Sequence, residues 1–167
     1  MTDMNQSFGA PEKPKLPSGL NVLTILTIIG SVFAILMACY QFFMAKTNLA
    51  KMEEMINSDK YDEMPGFLKK LMTPEALEMT RRGYENRMPI FLISILAAGL
   101  CLYGAMQMRK LKMQGYYLYL IGELLPFVII LVFMGTAAFA GFGILSIVFA
   151  LILIILYTVH RKYLVNN

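Results

Sequence analysis

Residues 20–45, LNVLTILTIIGSVFAILMACYQFFMA, contain no charged side chain. About 20 apolar residues are enough to carry a helix across the ~30 Å hydrocarbon core of a bilayer. Lipid offers the backbone no hydrogen-bond partner, so a run of this kind must satisfy its own N–H and C=O groups as an α-helix. A second uncharged run covers 88–108, MPIFLISILAAGLCLYGAMQM, and opens on Pro89. A proline is tolerated at a helix start because its missing N–H would find no partner there anyway. The third apolar stretch, 116–157, is too long for one helix. GTAAFAGFG at 135–143 supplies glycines for a tight turn and divides it into spans 116–134 and 144–160. The predicted fold is all-α: a four-pass transmembrane helical bundle.

Composition agrees with this reading. Hydrophobic residues make up 57% of the chain and charged ones 16%, against about 25% charged in soluble domains. The net charge of +4 is small, and its cations flank apolar segments rather than forming one basic face. Nucleic-acid binding is therefore not expected. Cys39 and Cys101 fall in spans 1 and 2 at depths differing by roughly 15–20 Å at 1.5 Å per residue. That is too far for a disulfide, and both are read as small packing residues.

Residues 1–19 are polar and hold Pro11, Pro14 and Pro17, which predicts a flexible or polyproline-like tail. The run after it is too long for a cleaved signal peptide, so the first helix is expected to act as an uncleaved anchor. Residues 46–87 form the one sizeable soluble segment, with eight basic and eight acidic residues. Leu49, Met52, Met55 and Ile56 recur at helical spacing, which predicts that the first helix continues past the membrane as an amphipathic extension. Pro65 and Gly66 end it. Thr73 before Pro74 then reads as a capped helix start. The segment is expected to be an extramembrane amphipathic helical hairpin between spans 1 and 2, lying on the membrane or on a partner.

In a four-pass chain the tail, the short basic loop 109–115 (RKLKMQG) and the basic end 161–167 share one side. That side carries seven basic residues and the hairpin side eight. Three cations packed into one very short loop favour a cytoplasmic location for the RKLK side, and so for both termini. Arg109, Lys110 and Lys112 are also candidates for contact with anionic lipid headgroups.

One carboxylate interrupts the spans: Glu123, in YLYLIGELLPFVIILVF. It is predicted to lie about seven residues, or roughly 10 Å, inside the third span. A charge at a helix centre costs about 2.5–3.5 kcal/mol on insertion scales, so its neighbours matter. Tyr116, Tyr119 and Glu123 share one helix face, which puts the Tyr119 hydroxyl within reach of the carboxyl group. Pro126 deprives the Gly122 carbonyl of its helical partner and is expected to kink the span. Thr27 and Tyr103 come from nearly the same depth and are the other predicted partners. Three roles follow for Glu123. It is a buried contact that holds the bundle together, the titrating group of a proton or ion path, or a contact with an outside partner.

Other features point to packing. Ala34 with Ala38, and Ala97 with Cys101 and Ala105, allow helices to approach closely. Fourteen methionines accompany a single histidine, His160, with no Met–His cluster outside the membrane, so no metal is expected. His160, in HRKY, is expected at the membrane surface. There is no phosphate-binding glycine loop and no G-x-S-x-G elbow. With one acid inside the spans, no enzyme and no cofactor are expected.

KPKLPSGLNVLTILTIIGS, MRKLKMQGYYLYLIGELLP and RKYLV resemble an uncharacterised family of small four-helix integral membrane proteins from Bacteroidota-type bacteria. The likeness covers most of the four-span frame and not the 46–87 segment. It implies a setting in the bacterial inner membrane and transfers no activity or functional residue. The expected function is a non-enzymatic interaction protein or accessory subunit of a larger membrane complex. The alternative is a small oligomeric transporter or proton-coupled channel using Glu123.

Overall fold

The computed structural model describes residues 16–58, 61–135 and 142–165. It contains α1 (Ser18–Ile56), α2 (Gly66–Leu71), α3 (Pro74–Glu85), α4 (Arg87–Arg109), α5 (Met113–Ile129) and α6 (Phe142–His160). A π-helical turn (Ile130–Met134) prolongs α5, and a 3-10 turn (Arg161–Tyr163) follows α6. The protein is an all-α, four-span membrane helical bundle, with α2 and α3 between spans 1 and 2. Most of the predicted tail and of the glycine turn at 135–143 lies outside the described residues. Cys39 and Cys101 are both free thiols.

The 39 residues of α1 are one unbroken helix, roughly 58 Å long at 1.5 Å per residue. That is about twice the ~30 Å hydrocarbon core, so its second half projects beyond the membrane. α3 packs on this projecting half. Arg81 donates to Glu53 at 2.6 Å, and the Thr80 hydroxyl lies 3.3 Å from the Met52 sulfur. The hydrogen bond from Arg81 and the Glu53 charge raise the arginine's pKa. Both groups are exposed, so the pair adds little stability. Thr73 caps α3 by accepting from the Ala76 N–H at 3.2 Å, with Pro74 in the first turn. The Glu75 carboxyl is held below its ordinary pKa by its own backbone N–H and then by the Thr73 hydroxyl.

Inside the membrane the tightest packing is between α4 and α5. A Cβ added at Gly104 would lie 2.7 Å from the Gly115 carbonyl oxygen, and one at Gly115 would lie 2.5 Å from that of Gly104. At Gly122 it would meet the Ala97 carbonyl and the Cys101 sulfur, each at 2.7 Å. Lipid tails are as apolar as leucine, so helices associate here by van der Waals contact, and missing side chains let the backbones close. α1 lies on α4 with Leu20, Leu23, Thr24, Thr27 and Ser31 buried. Large apolar side chains such as Val22, Phe33, Leu92, Val132 and Leu145 stay exposed on the outer faces, where they meet lipid.

The turn between α4 and α5 is shorter than the predicted 109–115 loop. α4 keeps Arg109 and α5 starts at Met113, because α4 ends in a closed C-cap. Leu111 N–H donates to Met108 O at 2.9 Å and Lys112 N–H to Gln107 O at 3.1 Å. This double closure requires a left-handed residue, usually glycine, and here Leu111 takes it at φ 59°. The segment after α6 then docks on the turn. Val165 N–H donates to Leu111 O at 2.7 Å, and Met113 N–H donates to Val165 O at 3.0 Å.

Gly104→Val or Gly122→Val should lower stability by at least ~1–3 kcal/mol, the usual range for overpacking. Gly99→Ala, with nothing within 4 Å of its added methyl, should not destabilise. Thermal unfolding in detergent checks both. Equal melting temperatures for the three variants would mean the close approach is not what holds α4 to α5.

Candidate intramembrane site

Glu123 lies ten residues into the Met113–Met134 span, roughly 15 Å from its start and close to mid-membrane. It is deeper than the predicted 10 Å because α5 begins three residues earlier. Its carboxyl group lines a partly open cavity of about 560 Å³ between α1, α4, α5 and α6. α1 contributes Thr27, Ser31, Ala34, Ala38 and Gln41 along one face, and α4 adds Ser94 and Cys101. Among the described lining residues Glu123 alone carries a formal charge. The site is therefore an apolar chamber with one carboxylate and scattered hydroxyls.

The cavity exists because α6 is held mainly along its later turns. Tyr157 and Thr27 share a hydrogen bond at 2.7 Å, and the Tyr157 ring packs on Tyr119 at 4.5 Å. Tyr116 and Thr158 join at 2.8 Å, and the His160 ring lies against Gly19. The earlier turns of α6 supply Ser146, Phe149, Ala150 and Leu153 to the cavity wall.

Around the carboxylate the structure assembles a set only partly foreseen. Cys101 Sγ lies 3.9 Å from Glu123 Oε2, a long and weak contact, and at the same distance from the Tyr119 carbonyl oxygen. Tyr119 is 1% exposed. Its hydroxyl sits beside Glu123, close enough for a long, weak hydrogen-bonding contact with the carboxyl group, as the sequence predicted. Pro126 also lines the cavity, one turn beyond Glu123. Beyond it the helix does not simply bend but widens into the π-helical turn at Ile130–Met134, a feature often found beside functional sites.

Thr27 lines the same cavity and is 8% exposed, but its hydroxyl is engaged by Tyr157. Tyr103 is not brought to the carboxylate. It is 50% exposed, and its hydroxyl accepts from Gln107 at 2.7 Å. Two residues along a helix are about 200° around it, so Cys101 faces the site and Tyr103 faces away. Arg109 turns to α1, donating to Asn21 Oδ1 at 2.9 Å and Thr24 Oγ1 at 3.3 Å. Lys110 and Lys112 remain on the turn. Sequence reasoning missed Tyr157, Ser31 and Gln41. Thr24, Thr27, Ser31, Ala34, Ala38 and Gln41 recur at steps of three and four, and that stripe was the available signal.

Comparison with protein-family models, with curated proteins and with solved structures found no match.

Tyr157→Phe should cost about 1–2 kcal/mol, because it strips a partner from a buried hydroxyl. Tyr119→Phe should cost less, since the oxygen it removes makes only a long, weak contact with Glu123. Melting temperatures of the two variants check the contrast, and the reverse order would contradict this hydrogen-bond assignment.

Proposed function

We propose that the protein is a non-enzymatic transporter or proton-coupled channel that works through the cavity around Glu123. The observation that carries this reading is one chamber, within a single chain, with a lone mid-membrane carboxylate beside a buried tyrosine hydroxyl. An acid in the hydrocarbon region is costly and is retained most often on ion or proton pathways. The π-helical turn after Pro126 and the sparse packing of α6 supply the movable parts that alternating exposure of such a group needs.

In proteoliposomes carrying a pH-sensitive dye, Glu123→Gln should abolish proton flux, a loss of tenfold or more, while the melting temperature stays near wild type. Equal flux in wild type and variant would remove Glu123 from the mechanism. A second reading, an accessory subunit of a larger membrane complex, is favoured by the projecting half of α1 and the α3 helix packed on it. It predicts a stoichiometric companion after gentle extraction and no effect of Glu123→Gln on flux.

Our reading sets the protein in a bacterial inner membrane, in line with the resemblance, with both termini in the cytoplasm, an orientation supported by the cations of the α4–α5 turn and of the segment after α6. Reporter fusions at the two ends should both report cytoplasmic locations. An external signal from either would reverse the orientation.

A further inference from the structure

Apart from Glu123, the described carboxylates all lie between residues 53 and 85, in the projecting segment between spans 1 and 2. The opposite membrane face carries Arg109, Lys110, Lys112, Arg161 and Lys162, and no carboxylate among the described residues. These cations come from two runs far apart in sequence. Lys112 and Val165 form a parallel bridge, closed by the hydrogen bonds of Val165 with Leu111 and Met113. Leu164 is buried beside Leu20, Met108 and Tyr116, which seats the second run against the first. The Leu111 carbonyl that accepts from Val165 belongs to a leucine in left-handed backbone, a conformation that costs a branched side chain energy.

The level of this surface is marked by tyrosines. Tyr117 and Tyr163 are 49% and 44% exposed, as expected of aromatic side chains at the headgroup boundary. Arg161 lies 5.8 Å and 5.9 Å over the Tyr116 and Tyr117 rings, and Lys162 lies 5.1 Å over Tyr163. Arg109 is occupied by α1. Lys110, Lys112 and Lys162 form no ion pair among the described residues. A topology signal needs only cations in a short loop. It does not need two runs joined by backbone hydrogen bonds across a strained turn.

We propose that the 110–112 turn and residues 161–162, clasped together at Val165, form one composite binding surface for the phosphate headgroups of anionic phospholipids. The surface is independent of the Glu123 cavity. Lysines without an ion-pair partner among the described residues, beside interfacial tyrosines, match a phosphate held at headgroup depth, and each cation adds to the attraction.

The test is binding of fluorescent phosphatidylglycerol to the full chain in neutral detergent, read by anisotropy and competed with unlabelled phosphatidylglycerol or phosphatidylcholine. Phosphatidylglycerol should compete and phosphatidylcholine should not. Raising salt from about 0.1 to about 1 M shortens the screening length from ~10 to ~3 Å and should weaken binding about tenfold. Lys110→Gln/Lys112→Gln/Lys162→Gln should weaken it at least about tenfold, whereas Lys69→Gln/Lys70→Gln on the other face should not. Val165→Pro removes the N–H that reaches Leu111 and keeps every cation. It should lose several-fold in affinity with the melting temperature little changed. Equal competition by the two lipids, salt-insensitive binding, or an unchanged triple variant would overturn the site. Wild-type affinity in Val165→Pro would overturn its composite nature.

Discussion

Everything in this bundle leans on the contact between α4 and α5. In lipid, burying an apolar side chain between helices gains little over leaving it among acyl chains, so association depends on how closely backbones can approach. Gly104 and Gly115 face each other across the two helices, and Gly122 sits against Ala97 and Cys101. The three-residue turn that joins the helices is closed by a left-handed Leu111, where a glycine would be free of strain. That turn fixes the register in which the glycines meet. α1 then finds a surface of small residues on α4, with Ala97, Ala98, Cys101 and Ala105 all buried.

The site is a consequence of how unevenly the remaining helix is held. α6 carries Tyr157, whose hydroxyl reaches Thr27 and whose ring reaches Tyr119, and the segment beyond it is tied to the α4–α5 turn through Val165. These contacts gather toward one end of the bundle. Toward the other, α6 leaves a cavity against the polar stripe of α1 and the carboxylate of α5. Glu123 is thus neither in lipid nor in a packed core. It has a long thiol contact, a weak contact with the Tyr119 hydroxyl, and open volume.

The four spans were legible because the signal for them is local. A run of about 20 uncharged residues has one way to satisfy its backbone in lipid, whatever else the chain does. The start of α3 at Thr73 and Pro74 was legible for the same reason, since a cap is made within a few residues. Glu123 was conspicuous as the single acid in the spans. Its partners were not. Tyr103 and Cys101 occupy neighbouring depths on α4, and composition gives no hint of which one turns inward.

The sequence by itself determined that this is a four-span helical membrane protein with a soluble segment after span 1 and one intramembrane carboxylate. Those properties follow from charge, length and backbone hydrogen bonding along the chain. Only the tertiary structure decided that Thr27 goes to Tyr157, that Cys101 and not Tyr103 meets Glu123, that a cavity surrounds them, and that the two basic runs join. In a soluble helix the buried face differs in polarity from the exposed one and announces itself. In a membrane helix both faces are apolar, so rotation and register are settled by shape, at the glycines where two backbones touch.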